Sequence, residues 1–72
     1  MKIKVWTKQP NYLISQACKQ LRARGHGAEC DDLLNAPFDG ELVSFERLSV
    51  NQFVALEDTA VRLGLQYDGS QA

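Results

Sequence analysis

The feature that most constrains the fold is the alternation of side chains in residues 1–8. Ile3, Val5 and Thr7 occupy every second position, and lysines or Trp6 stand between them. Because successive side chains of a strand point to opposite faces, this period predicts a β-strand with one apolar and one polar face. Such a strand needs a second layer over its apolar face. The rest of the chain must therefore supply helices or another sheet.

A first helix is predicted directly after this strand. Pro10 ends the strand because it lacks a donor, and Asn11 or a neighbour is a suitable N-cap. Apolar residues then recur at three- and four-residue spacing, and Gly25 ends the helix. The stripe consists of Ile14, Ala17, Cys18 and Leu21.

A second helix is predicted near the end of the chain. Ser49 and Gln52 have the spacing of a capping box, and Gly64 closes the helix. Its apolar residues at helical spacing are Phe53, Leu56, Ala60, Val61 and Leu63. Together with the first strand and first helix, this predicts a core of Ile3, Val5, Ile14, Leu21, Phe53, Leu56 and Val61.

Two further strands complete the predicted sheet. Residues 27–33 are interpreted as the second strand, and residues 41–47, after a turn at Asp39 and Gly40, as the third. A strand, helix and strand of this length predict a parallel βαβ unit with a right-handed crossover. We therefore expect an α/β domain of order β-α-β-β-α over residues 1–66, with a three-stranded sheet and two packed helices. Residues 67–72 have the composition of a flexible C-terminal tail.

Basic and acidic residues are separated along the chain. No acid precedes Glu29, whereas six lysines and arginines do; only Arg47 and Arg62 accompany the nine acids that follow. The formal net charge is nevertheless only −1. Either the basic and acidic parts of the sequence lie side by side in the fold, so that their charges offset one another, or they form a polar binding surface.

The candidate binding residues are cations accompanied by one aromatic side chain. Strand alternation gathers three lysines and Trp6 on one face, which suits base stacking or an acidic protein surface. The alternative is that a helix covers Trp6 and the lysine stems lie over its rim. Two arginines near the end of the first helix complete the set. The predicted binding residues are Lys2, Lys4, Trp6, Lys8, Arg22 and Arg24.

No pattern in the sequence indicates catalytic or metal chemistry. His26 has no serine or carboxylate at the spacing of a nucleophile and its base. The adjacent acids Asp31 and Asp32, like Glu57 and Asp58, point in different directions and do not converge as an acid and a base must. Two cysteines and one histidine cannot supply a four-ligand zinc site. We expect no enzyme activity, no metal and no cofactor.

The two cysteines are expected to be reduced and packed in the core. Cys18 shares a helical stripe with Ile14 and Leu21, and Cys30 alternates with Ala28 in the predicted second strand. Two cysteines are too few for the disulfide framework of a small secreted domain. A bridge between helix and sheet stays open as the alternative.

The sequence carries no membrane or secretion signal. No apolar run approaches the roughly 18 residues that cross a bilayer, and residues 1–4 lack the apolar stretch of a signal peptide. We expect a soluble, cytoplasmic monomer that makes no membrane contact.

Residues 2–8, followed by a loop, an amphipathic helix and Gly25, resemble the start of glutaredoxins. Ala36 and Pro37 look like the cis-proline element of that fold, and residues 40–56 are similar to its last strand and final helix. The middle helix is missing. This resemblance implies a shortened thioredoxin fold.

The resemblance departs from the glutaredoxins at their redox site. Those proteins carry a Cys-x-x-Cys pair where this chain has Asn11, Tyr12, Leu13 and Ile14. Without that pair the usual thiol-disulfide exchange is not available. The enzyme-class alternative is a degenerate glutaredoxin-like protein that works through Cys18 or Cys30.

In size and charge segregation alone, the chain also resembles small phage-encoded regulators of host RNA polymerase. That resemblance implies a protein partner, such as host RNA polymerase, and a regulatory or inhibitory role in transcription. The function predicted from the sequence is therefore a non-catalytic protein-binding module. A weak single-stranded nucleic-acid binder using Trp6 and the lysines is the remaining alternative.

Overall fold

The computed structural model describes residues 1–71, and it confirms the α/β class. Within these residues the sheet has four strands rather than three, and three helices stand where two were expected. The strands are β1 (Lys2–Trp6), β2 (Phe38–Asp39), β3 (Leu42–Phe45) and β4 (Gln66–Ser70). The helices are α1 (Pro10–Ala23), a 3-10 helix (Gly27–Asn35) and α2 (Val50–Leu63).

The sheet is antiparallel throughout, with strand order β2-β3-β1-β4. The first strand of the chain is therefore interior to the sheet. Ile3 lies opposite Phe45 of β3 on one side and opposite Gly69 of β4 on the other. This register brings Ile3, Val5, Val43 and Phe45 to one face of the sheet, where all four are buried.

The helices cover that face and close the core. Six of the seven predicted core residues are buried, but Val61 is 59% exposed and its assignment was wrong. The residues that α2 buries are Gln52, Phe53, Ala55, Leu56, Thr59 and Ala60. Val61 follows Ala60 by one position, about 100° further around the helix, and so falls outside this stripe. The predicted apolar position Leu63 is also exposed.

The predicted second strand is a 3-10 helix instead. Cys30 and Leu33 are the buried residues of this segment. Their spacing of three matches the 3-10 period, whereas in a strand the two side chains would point to opposite faces. Because no strand forms here, the expected parallel βαβ unit is absent from residues 1–71, and the prediction of a right-handed crossover was wrong.

Residues 67–70 of the predicted C-terminal tail belong to strand β4 instead. Gln66–Ser70 pairs along the full length of β1, although Asp68 and Gly69 are poor strand formers. Gly69 suits this place because a Cβ there would lie only 2.8 Å from Cζ of the buried Phe53. Ala72, the last residue of the predicted tail, lies outside the described residues.

The predicted helix ends are largely confirmed. Ser49 and Gln52 form a reciprocal capping box at the start of α2, and Gly64 ends it in the left-handed conformation with φ 69°. Gly25 likewise has a positive φ of 80°. The start of α1 differs slightly, because Pro10 occupies the first turn and Gln9 is the N-cap.

Candidate functional site

One face of the sheet is left uncovered by the helices. Lys2, Lys4 and Trp6 are exposed, while Ile3 and Val5 between them are buried, which confirms the predicted faces of the first strand. Trp6 is 36% exposed. This exposure favours the open face over the alternative in which a helix covers Trp6.

Neighbouring strands surround these residues with a mixture of side chains. Trp6 lies opposite Leu42 of β3 and Gln66 of β4. Directly opposite residues of an antiparallel pair share a face, so these side chains border the indole. Lys4 lies in the same way between Ser44 and Asp68. We call this surface the open sheet face, and its residues are Lys2, Lys4, Trp6, Leu42, Ser44, Gln66 and Asp68.

A shallow pocket of about 250 Å³ lies at one end of the open sheet face. Lys2, Lys4 and Ser44 contribute to it, and so do the acids Glu46 and Asp68. The pocket therefore brings two cations and two carboxylates together. It presents both signs of charge to a ligand rather than a uniformly positive surface.

Lys8 lies beyond the end of β1 and is engaged with an acid. Its Nζ is 3.7 Å from Oε1 of Glu41, and both side chains are well exposed. Such an exposed pair contributes little to stability. Together with Lys4 opposite Asp68, this contact shows that the basic and acidic parts of the sequence lie side by side here.

Arg22 and Arg24 belong to the helical layer rather than to the open sheet face. Nη2 of Arg24 is 4.0 Å from Oδ2 of Asp58, an oxygen that also lies 3.3 Å from Nε of Arg62. Nη1 of Arg22 donates to Sγ of Cys30 over 3.6 Å. The structure thus divides the six predicted binding residues between β1 with its following loop and the end of α1.

Cys18 and Cys30 are joined by a disulfide, with their Cα atoms 5.3 Å apart. The prediction that both thiols are reduced was wrong, although both cysteines are buried as expected. The bridge links α1 to the 3-10 helix rather than a helix to a strand. The sequence interpretation placed Cys30 in a sheet and so misplaced this link.

Glu29 was not identified from the sequence, yet it connects the 3-10 helix to the start of α2. Its carboxylate accepts hydrogen bonds from the Ser49 hydroxyl and from Nδ2 of Asn51, the latter at 3.2 Å. The Ser49 bond is the main cause that lowers the pKa of Glu29; the Asn51 bond and nearby His26 lower it further, against a partial desolvation that raises it. No local pattern reveals this contact because Ser49 lies 20 residues further along the chain.

Among residues 1–71, no group of three or more His, Cys, Asp or Glu side chains is arranged to hold a metal ion. In the same part of the chain, no helix has the length and apolar character to span a membrane.

Comparison with known proteins gave no relative. No protein-family model, no curated protein and no solved structure matched the chain. The geometry of the open sheet face is therefore the main support for a function.

Proposed function

We propose that this protein is a non-catalytic binding module that recognises another protein through its open sheet face. The observation that carries the proposal is Trp6, a large aromatic residue that is 36% exposed in an interior strand, on the face of the sheet opposite the buried Ile3 and Val5. Tryptophan is enriched among the residues that dominate binding energy at protein interfaces. Leu42 opposite Trp6 extends the apolar centre, and the lysines and acids form a polar rim.

The charges favour a protein over a nucleic acid as the partner. Binding to single-stranded nucleic acid relies on a positively charged groove that follows the phosphates. Here Asp68 lies opposite Lys4, Glu46 borders the same pocket, and the whole chain has a net charge of −1. A protein surface that presents both signs of charge can complement such a face.

The transcription apparatus, and RNA polymerase in particular, is the first partner to test. This choice rests on the resemblance in size and charge segregation to small phage-encoded regulators. In this role the protein modulates the polymerase by occupying a surface of it, without chemistry of its own.

The test uses the fluorescence of Trp6, the only tryptophan in the sequence. RNA polymerase that contains tryptophan analogues with distinct emission is titrated into the protein, and the emission of Trp6 is followed. The affinity of wild type is then compared with that of Trp6→Ala by surface immobilisation. We expect Trp6→Ala to weaken binding by about 30-fold, which corresponds to about 2 kcal/mol, and to keep its melting temperature within a few degrees.

Tyr12→Ala is the control, since Tyr12 is another exposed aromatic residue and lies on α1. Its affinity should equal that of wild type. Folded Trp6→Ala protein that binds as tightly as wild type would rule out the open sheet face.

If the polymerase does not bind at all, retention from a cell extract by wild type but not by Trp6→Ala identifies the actual partner. Tight binding to a labelled oligonucleotide that weakens steeply with salt would instead support the nucleic-acid alternative.

A further inference from the structure

We propose that the Cys18–Cys30 disulfide is a reversible redox site that small thiol reductants open from the surface. The site lies in the helical layer and is independent of the function proposed for the open sheet face. Both cysteines line a surface pocket of about 400 Å³, together with Ile14, Arg22 and Leu34. Although the two cysteines are buried to more than nine-tenths, this pocket gives a small thiol a route to them.

Arg22 makes the two sulfurs chemically unequal. Its guanidinium Nη1 lies 3.6 Å from Sγ of Cys30, whereas Sγ of Cys18 is directed toward the backbone carbonyl of Cys30 at 4.0 Å. A neighbouring cation favours negative charge on a sulfur. Cys30 is therefore the better leaving group, and Cys18 is the sulfur that an incoming thiolate attacks.

The exchange proceeds in two balanced steps with a dithiol as the reductant. One thiolate of the dithiol bonds to Sγ of Cys18, the Cys18–Cys30 bond breaks, and Cys30 leaves with the electron pair as a thiolate beside Arg22. The second thiol of the reductant then displaces Cys18 and closes the reductant to a cyclic disulfide. The protein gains two electrons, and its two sulfurs take up the two protons that the reductant loses.

Reduction of the disulfide should also affect the start of α2, because Cys30 is adjacent in the chain to Glu29. Cys30 directly follows Glu29, whose carboxylate and backbone carbonyl hold Ser49, Asn51 and Gln52 at the start of α2. The disulfide fixes this stretch of the 3-10 helix to α1. Reduction removes that covalent link, so we expect it to loosen the 3-10 helix and, through Glu29, the first turn of α2.

The first experiment counts thiols in the wild-type protein. Protein equilibrated with oxidised dithiothreitol and then denatured should show no thiol toward Ellman's reagent, and two after treatment with reduced dithiothreitol. The melting temperature should fall on the order of 10 °C on reduction and recover on reoxidation. In Cys18→Ala/Cys30→Ala protein, reduced dithiothreitol should not change it. Two thiols in the oxidised sample would overturn the proposal. So would a double variant whose melting temperature falls as much on treatment with reduced dithiothreitol as that of wild type.

The second experiment tests the assignment of Cys30 as the leaving group. The rate of disulfide opening by dithiothreitol should fall about threefold in Arg22→Gln and largely recover in Arg22→Lys, which keeps the cation. Lys19→Gln removes an exposed cation elsewhere on α1 and should leave the rate unchanged. Equal rates in wild type and Arg22→Gln would overturn the role of Arg22.

Discussion

The side chain of Gln52 donates from Nε2 to the backbone carbonyl of Glu29 at 2.8 Å, which fastens the first turn of α2 to the 3-10 helix. Its Oε1 also accepts from the backbone N–H of Ser49 at 2.8 Å, as part of the capping box. One buried amide therefore caps the start of α2 and links α2 to the 3-10 helix.

Replacement of Gln52 by alanine should destabilise the protein by about 2 kcal/mol. The change removes half of the capping box and leaves the Glu29 carbonyl without this donor. Urea denaturation monitored by circular dichroism measures the loss. Asn51→Ala serves as the comparison because it removes only a partly exposed bond to Glu29, and it should cost less than half as much. Equal effects of the two substitutions would show that Gln52 has no linking role.

Acidification should remove the stabilisation that Glu29 provides. The pKa of Glu29 is lowered in the folded protein from its ordinary value of 4.5, chiefly by the Ser49 hydroxyl. A depressed carboxyl pKa stabilises the fold above the unfolded value, and this contribution disappears as the pH falls through the folded pKa. The difference in unfolding free energy between wild type and Glu29→Gln should therefore shrink between pH 6 and pH 3. A Glu29→Gln difference that is constant with pH would contradict the prediction.

The close approach of β4 to α2 should make Gly69 intolerant of any side chain. In Gly69→Ala the new Cβ would lie 2.8 Å from Cζ of Phe53 and 3.1 Å from its Cε2. Overpacking of this kind typically costs about 1–3 kcal/mol. Thermal denaturation of Gly69→Ala, Phe53→Leu and the double variant measures the coupling. The two effects should be less than additive, since leucine vacates the space that the methyl group needs; simple additivity would mean that β4 shifts away instead.

The two sides of α2 should respond very differently to truncation. Leu56 is fully buried, and Leu56→Ala should cost about 2–5 kcal/mol, enough to unfold a large share of so small a domain. Val61→Ala at an exposed position of the same helix should change stability by less than about 0.5 kcal/mol. Chemical denaturation of both variants tests the boundary of the core. A substantial loss for Val61→Ala would restore the stripe expected from the sequence.

Local patterns predicted the elements whose signals lie within a few residues. The alternation of residues 2–6 gave β1 and both of its faces, and the Ser49–Gln52 spacing gave the start of α2. The part of the open sheet face that lies on β1, which is Lys2, Lys4 and Trp6, was predicted in this way. The residues opposite them belong to strands whose pairing no local pattern specifies.

Features that depend on distant contacts could not be predicted. Gly69 and Asp68 disfavour a strand by composition, yet pairing with β1 imposes one on them. That Cys30 and Leu33 are the two buried positions of their segment becomes apparent only in the folded chain, where the 3-10 helix packs against α1. Glu29 and Ser49 likewise meet only in the folded chain.

The pairing of β1 with β4 also bears on how fast the chain can fold. Lys2 lies opposite Ser70, so this ladder joins segments separated by nearly the whole length of the chain. Contacts of such high sequence separation incur their loop-closure entropy before they yield any stabilisation, and they are associated with slow folding. The hairpin of β2 and β3 and the two α-helices can form early from local contacts. We expect the β1–β4 ladder to form last, and until then β1 keeps one edge unpaired and exposed to other chains.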